Sequence, residues 1–398
     1  MAQPIQIEVV SESIIKPSCS TPESKKFIYL SMLDQMNFAL STPIILFFSN
    51  KDGGQDFSEN SKRLKSSLAK TLDVFYPVAG TVTNNSVIDC NDRGVDYIEA
   101  RVHCELSQLL SSPDMNTLEK LIPIDLNPTS AFTGAKIQSN FFSCGAVAIG
   151  VSLSPKIGDA TALLSFIMVW ATFSFDSNIE QLPNDLIPKF IGNSIIPSLD
   201  SSMDLSFLPA PPPPLSSPPH LSAPRKTLRL VFSQSKIDYL QQQGASDSIP
   251  RPSRVEAITA FLWKCFIAST KSKFNDIKSR TSVVSHAVNY RKRFNPPLIS
   301  EVLRTGNILK TLLEHTGKYL GLYESNSVDF YNFRSLCGFP LYKANFGWGN
   351  PDWVIVTNPV LKNYILMTDT RDGNGVEAWV SLDEEDAHLL EKDEDLLS

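Results

Sequence analysis

Chemistry at neutral pH needs side chains that hold or move a proton, and histidine is the first to locate. The chain has five: His103, His220, His286, His315 and His388. They are scattered, with no pair at metal-ligand spacing. Six cysteines (Cys19, Cys90, Cys104, Cys144, Cys265 and Cys337) form no CxxC pair, which argues against a zinc ribbon or a thioredoxin-type motif. Their number in so long a chain predicts reduced, mostly buried thiols rather than a disulfide framework. The phosphate-cradling GxxxxGKS/T and GxGxxG patterns are missing, as are the GxSxG nucleophile elbow and the HExxH zinc site. The acidic run Asp383–Asp386 reads as a helix start, where the macrodipole favours acids, rather than as a metal site. Generic motifs alone leave the activity open.

The elements that must position any site are clearer. Gln6–Ile15 alternates and is rich in Ile and Val, so it reads as a strand ending at Pro17. Ser61–Thr71 reads as an amphipathic helix, followed by the turn Phe75–Gly80. Val87–Ile88 and Tyr97–Val102 read as hairpin strands around Asn91–Gly94. Cys144–Leu153 is an apolar run suited to a strand covered on both faces. Ala160–Phe173 places Leu163, Phe166, Ile167 and Trp170 on one helical stripe, with Asp159 as N-cap. Residues 209–219 hold seven prolines, which favour extended geometry and mark the clearest linker. Beyond it come a strand at Thr227–Phe232 and a helix at Ser253–Thr270 with a Ser253/Glu256 capping box. Ser282–Tyr290 reads as a strand, as do Tyr364–Met367 and Glu377–Leu382, the last two joined by a Gly-rich turn. Strands and helices mix in both halves, so the class is α/β or α+β.

The chain has 398 residues, which sets a soft expectation of two domains. Thirty-six basic and 42 acidic residues give a net charge of −6, against nucleic-acid binding, which needs a positive surface. No run reaches the ~20 apolar residues that span a bilayer, and the acidic start is no secretory signal. A soluble cytoplasmic protein is expected.

The run Gly150–Ala171 (GVSLSPKIGDATALLSFIMVWA) closely resembles the HxxxD region of the plant BAHD acyltransferases. Further blocks follow in the family's order along the whole chain: LSMLDQ (Leu30–Gln35), LKSSLAKTLDVFYPVAG (Leu64–Gly80), VIDCNDRGVDYIEARV (Val87–Val102), SRVEAITAFLWK (Ser253–Lys264), AVNYRKRFNPPL (Ala287–Leu298), Gly306-Asn307, NFGWG (Asn345–Gly349) and DTRDGNGVEAWVSLDEED (Asp369–Asp386). The alkaloid-type acetyltransferase subgroup is the most similar.

The resemblance implies two chloramphenicol-acetyltransferase-like domains, each a mixed β-sheet with helices. These are 1–190, carrying the HxxxD loop, and 226–398, carrying NFGWG, joined by a Pro-rich crossover at 191–225. It implies an acyl-CoA co-substrate, with acetyl-CoA expected, a small-molecule alcohol acceptor, a channel between the domains, a monomer, and no metal, permanently bound cofactor, nucleic acid or membrane. In the family the histidine takes the acceptor's proton as it attacks the thioester, and donors around the oxyanion stabilise the intermediate.

Three departures stand out. The histidine position is Pro155, which has no acid or base and no backbone N–H. The family's Asp of DFGWG is Asn345, which keeps the shape and loses the charge. Only 37 residues separate Asn307 from Asn345, fewer than the family has there. Retained are Asp159, whose implied partner is Arg291, and the scaffold Gly347, Trp348 and Gly349. His286, on the strand leading to Arg291, is the candidate substitute base, though a locally satisfied strand histidine is the simpler reading; Lys156 is expected to face outward. The expectation is therefore an acyltransferase with weak or lost activity. The alternatives are an inactive binding protein on the same fold, or chemistry that needs no histidine base.

Overall fold

The computed structural model describes residues 5–37, 42–50, 57–111, 113–123, 132–184, 186–196, 198, 225–273, 281–289, 328–356, 362–393 and 396. The chain divides into two compact units, Met1–Ser201 with Pro340–Val356, and Ser202–Phe339 with Thr357–Ser398. In chain order the elements up to residue 198 are β1 (Ile7–Ile15), β2 (Phe27–Tyr29), α1 (Met32–Met36), β3 (Thr42–Phe48), α2 (Phe57–Val74), β4 (Thr81–Thr83), β5 (Val87–Asp89), β6 (Val95–Val102), α3 (Leu106–Ser111), α4 (Met115–Leu118), β7 (Phe132–Thr133), β8 (Ala135–Phe142), β9 (Val147–Leu153), α5 (Ala160–Phe175) and α6 (Gly192–Ile195). After residue 225 come β10 (Arg225–Phe232), α7 (Gln234–Gln243), α8 (Arg254–Lys273), β11 (Thr281–His286), β12 (Val328–Ser335), β13 (Trp353–Val356), β14 (Tyr364–Asp369), β15 (Val376–Asp383) and α9 (Glu384–Leu390).

Among the described residues, the first unit holds a six-stranded mixed sheet, β1-β6-β8-β9-β3-β13, and a small sheet, β2-β5-β4-β7. Every residue of β9 is buried, as its unbroken apolar run requires of a strand covered on both faces. β1 is an edge strand and leaves Val9 and Ile14 exposed. Helix α5 lays its stripe of Leu163, Phe166, Ile167 and Trp170 into the core, and the Trp170 indole N–H donates to Leu64 O and Ser67 Oγ on α2, both at 3.1 Å. Trp170 is large and fully buried, and its polar atom finds a partner, as burial demands.

Two expectations change here. Val87–Asp89 and Val95–Val102 do not form a hairpin: β5 pairs with β2 and β4, whereas β6 pairs with β1 and β8. Between them the backbone passes through left-handed conformations at Asp92 (φ 53°) and Gly94 (φ 91°), which redirect the chain from one sheet to the other. The NFGWG segment lies in the first unit, not with the rest of the C-terminal half, because β13 adds antiparallel to β3 (Trp353 opposite Phe47).

Among the described residues, the second unit holds a five-stranded sheet, β10-β15-β14-β12-β11, covered by α8, α7 and α9. Ile258 and Leu262 of α8 meet Phe333, Ile365, Met367 and Val380 in its core. The capping box forms: Glu256 Oε2 accepts from Ser253 N (2.7 Å), and Ser253 Oγ accepts from Glu256 N (3.2 Å). The Pro-rich stretch, Arg291, Gly306-Asn307, His220 and His315 lie outside the described residues.

Candidate active site

The loop between β9 and α5 is built by short-range rules. Ser154 N donates to Gly134 O (2.8 Å), continuing the edge of the β8–β9 ladder. Ile157 N then donates back to Ser154 O (2.9 Å), closing a four-residue turn with Pro155 at its second position. That position favours proline, whose fixed φ suits it and whose missing N–H is not needed there. Gly158 N donates to the same carbonyl (3.2 Å). Ile157 packs against the small core of Tyr76, Val82 and Ile88, and Gly134 leaves room for it: a Cβ there would lie 2.1 Å from Ile157 Cδ1. Asp159 ends the loop as N-cap of α5, accepting from Ala162 N at 3.0 Å. Proline thus fits the turn, and its side chain offers no acid or base there. Asp159 is where the sequence placed it; its implied partner Arg291 lies outside the described residues.

Lys156 differs from expectation. It is buried, not outward-facing: its ammonium donates to Gln35 O (3.0 Å) and to Asn85 Oδ1. Burial lowers its proton affinity, and the Asp34 carboxylate opposes that. Asp34 itself is raised, first by burial and also by the charge of Asp159, against its hydrogen bonds from Ser31. Sequence reading missed Gln35 and Asn85 as parts of this loop's support. The Asn84-Asn85 pair, suited to left-handed turn positions, was the available signal.

The NFGWG segment is a scaffold within the first unit. Asn345 Oδ1 accepts from Gly347 N (2.8 Å) and Gly349 N (3.0 Å). Gly347 needs its glycine: φ is 101°, and a Cβ would stand 2.9 Å from Arg63 Nη1. Phe346 is fully buried, edge-on to Trp170 and Phe48, and Ser174 Oγ donates to its carbonyl (3.0 Å). Trp348 is half-buried under the Arg63 guanidinium, 5.0 Å away, and its indole N–H donates to Asn60 Oδ1 (3.2 Å). Burial lowers the proton affinity of Arg63, against the pull of Glu59.

His286 sits at the end of β11 in the second unit. Its Nε2 is 3.1 Å from Thr259 Oγ1, and its ring lies over Phe333 with centroids 5.8 Å apart. Although His286 is exposed at the surface, the protein packed on one side of its ring, then the positive charge of Arg334, holds its pKa below the usual 6.5. The other described histidines have acidic partners: His103 with Glu8 (3.0 Å), and His388 with Glu391 and Glu384. Among the described residues no group of His, Cys, Asp or Glu is arranged to hold a metal, and no helix is long and apolar enough to cross a membrane.

Comparison with known proteins places this geometry in a family. The Transferase family model matches residues 5–317 and 310–397, its two stretches meeting inside the shortened segment between Asn307 and Asn345. Stemmadenine O-acetyltransferase of Catharanthus roseus is 34% identical over 430 residues, covering 98% of this chain and 97% of its own. Vinorine synthase of Rauvolfia serpentina is 35% identical, covering 97% and 96%. The crystal structure of vinorine synthase matches with a TM-score of 0.79 at 31% identity, over 98% of each chain. The sequence blocks, the mixed two-unit fold and these full-length matches agree: the chain belongs to the BAHD transferase family.

Proposed function

We propose that this protein is a BAHD acyltransferase by descent, of plant alkaloid-type specialised metabolism, that binds an acyl-CoA and a small alcohol but turns them over weakly or not at all. The acyl-CoA donor follows from the family. Acetyl-CoA is the preferred candidate because stemmadenine O-acetyltransferase and salutaridinol 7-O-acetyltransferase are named for that transfer. One observation carries the reading: the 154–159 loop keeps its turn and its cap while Pro155 stands where the family has its base. A general base contributes about 10²–10⁴-fold, so its loss alone accounts for near-silence. His286 is read as a strand histidine held by Thr259 and Phe333, not as a substitute base.

The test is thiol release from acetyl-CoA with a panel of alkaloid alcohols. The native chain should stay near background, and Pro155→His should raise the rate by about 10²-fold or more. Turnover by the native chain at the level of a competent acyltransferase would overturn the reading and send the search for a base to His286. Calorimetry separates the alternative of an inactive binding protein: acetyl-CoA binding by both forms, with turnover by neither, favours it. The intact scaffold at Asn345 and Gly347 supports that reading too. We further propose a cytoplasmic monomer, which gel filtration would check at 44.1 kDa.

A further inference from the structure

We propose that Lys156 is a positioning residue, and that a closed polar hub of Lys156, Gln35 and Asn85 fixes the turn from which residue 155 projects, whatever residue 155 is. This rests on reading 154–159 as the catalytic loop, and it goes beyond the loss of the base.

Three contacts close a triangle. Lys156 Nζ donates to Gln35 O (3.0 Å) and to Asn85 Oδ1, and Asn85 Nδ2 donates to the same Gln35 O (3.0 Å). Each corner stands on an independently fixed element. Gln35 belongs to α1, whose first turn is held by the Ser31–Asp34 capping box. Asn85 lies in the β4–β5 turn, where Asn84 (φ 50°) and Asn85 (φ 54°) both take left-handed geometry and Ser86 N closes onto Thr83 O (3.2 Å). The strand before α1 is tied to that same turn, because Leu30 N donates to Ser86 O (2.8 Å). Lys156 is therefore a polar link from the catalytic loop to a preassembled pair, beside the apolar packing of Ile157.

The energetics favour a specific anchor over a chance contact. A buried ammonium is tolerated only with partners, and here a carbonyl, an amide oxygen and the nearby charge of Asp34 supply them. Because Lys156 follows residue 155 directly, fixing its buried stem limits how far residue 155 can swing. Displacement of a catalytic group by about 1 Å costs on the order of 10²-fold in rate.

The experiment has two arms. On the otherwise native chain, hydrogen exchange is followed at the amides of Ile157 and Gly158, both bonded to Ser154 O. Lys156→Met should speed their exchange about tenfold or more, with the amides of α5 beyond its first turn unchanged. Asn85→Gly, which removes the amide without strain at a positive φ and lies at an exposed turn, should speed the same two amides to a smaller degree. It keeps the proposal falsifiable if Lys156→Met fails to fold. Unchanged exchange at 157 and 158 in the folded variants overturns the hub. In the second arm, the same substitutions on the Pro155→His background should lower kcat with the KM for acetyl-CoA within about twofold. Equal losses in a folded variant's exchange across the whole unit would mark Lys156 as merely structural and overturn its positioning role. If Pro155→His itself is silent, the proposed activity fails, and the exchange arm still decides the hub.

Discussion

Asn345 holds the 345–349 turn together through a single side-chain oxygen. Its Oδ1 accepts two backbone N–H bonds, a task that an aspartate performs with stronger, charge-assisted bonds. Asn345→Asp should therefore fold normally, with a stability change within about 1 kcal/mol, whereas Asn345→Ala should lose about 0.5–1.5 kcal/mol, since the two freed N–H groups are exposed and water can reach them. Thermal or urea unfolding checks both. His286 gives a pH prediction. Its folded pKa is below the unfolded value because of partial desolvation and Arg334, an effect kept small by its exposure. Between that folded value and 6.5 the unfolded chain binds more protons, so its contribution falls as pH drops through the window and flattens below it. His286→Gln should reduce the stability lost between pH 7.5 and pH 5, measured as the difference in Tm from the native chain; an equal loss in both chains would refute the shift. Pro155 was legible at once, because the resemblance at Gly150–Ala171 aligns it without any structure. The burial of Lys156 was not, because its carbonyl partner lies 121 residues away in sequence and nothing local announces it.

At the scale of elements, what is local was readable and what is long-range was not. The stripe on α5, the Asp159 cap and the Ser253/Glu256 box follow from neighbours within one or two turns, and all three appear in the structure. The supposed hairpin of β5 and β6 failed because adjacency in sequence does not fix pairing when each strand has a better partner elsewhere. The turn at 345–349 sits between these extremes: its glycines were visible, their necessity was not. Gly347→Ala should destabilise the first unit by about 1–3 kcal/mol, chiefly through the left-handed backbone, with displacement of the Arg63 guanidinium tip as a smaller addition. Because Arg63 covers Trp348, the same substitution should blue- or red-shift indole fluorescence; Gly349→Ala, at φ 90° with open space around it, carries the backbone strain alone. A Gly347→Ala effect no larger than that of Gly349→Ala would remove the Arg63 clash from the account.

At the scale of the molecule, the first unit is discontinuous in sequence. Residues 1–201 supply most of it, and 340–356 supply β13 and the aromatic turn. β13 covers one edge of β3, a strand of Ile44, Ile45, Leu46, Phe47 and Phe48 that is buried throughout. Asp352 ties the join, its carboxylate accepting from Ser49 N at 2.7 Å across 303 residues of sequence. Remove the segment and a long apolar strand becomes an open edge, a template for intermolecular pairing; Phe48, Trp170 and Phe346 also lose their mutual packing. A fragment ending at residue 201 should therefore associate and bind a hydrophobic dye. Joining residues 340–356 to it through a flexible linker should restore a monomer with the near-ultraviolet circular dichroism of ordered aromatics. A monomeric, aromatic-ordered 1–201 fragment would show that the proline-rich boundary alone defines the domain. The opposite result would mean that residues 340–356 serve first to complete the unit that residues 1–201 begin.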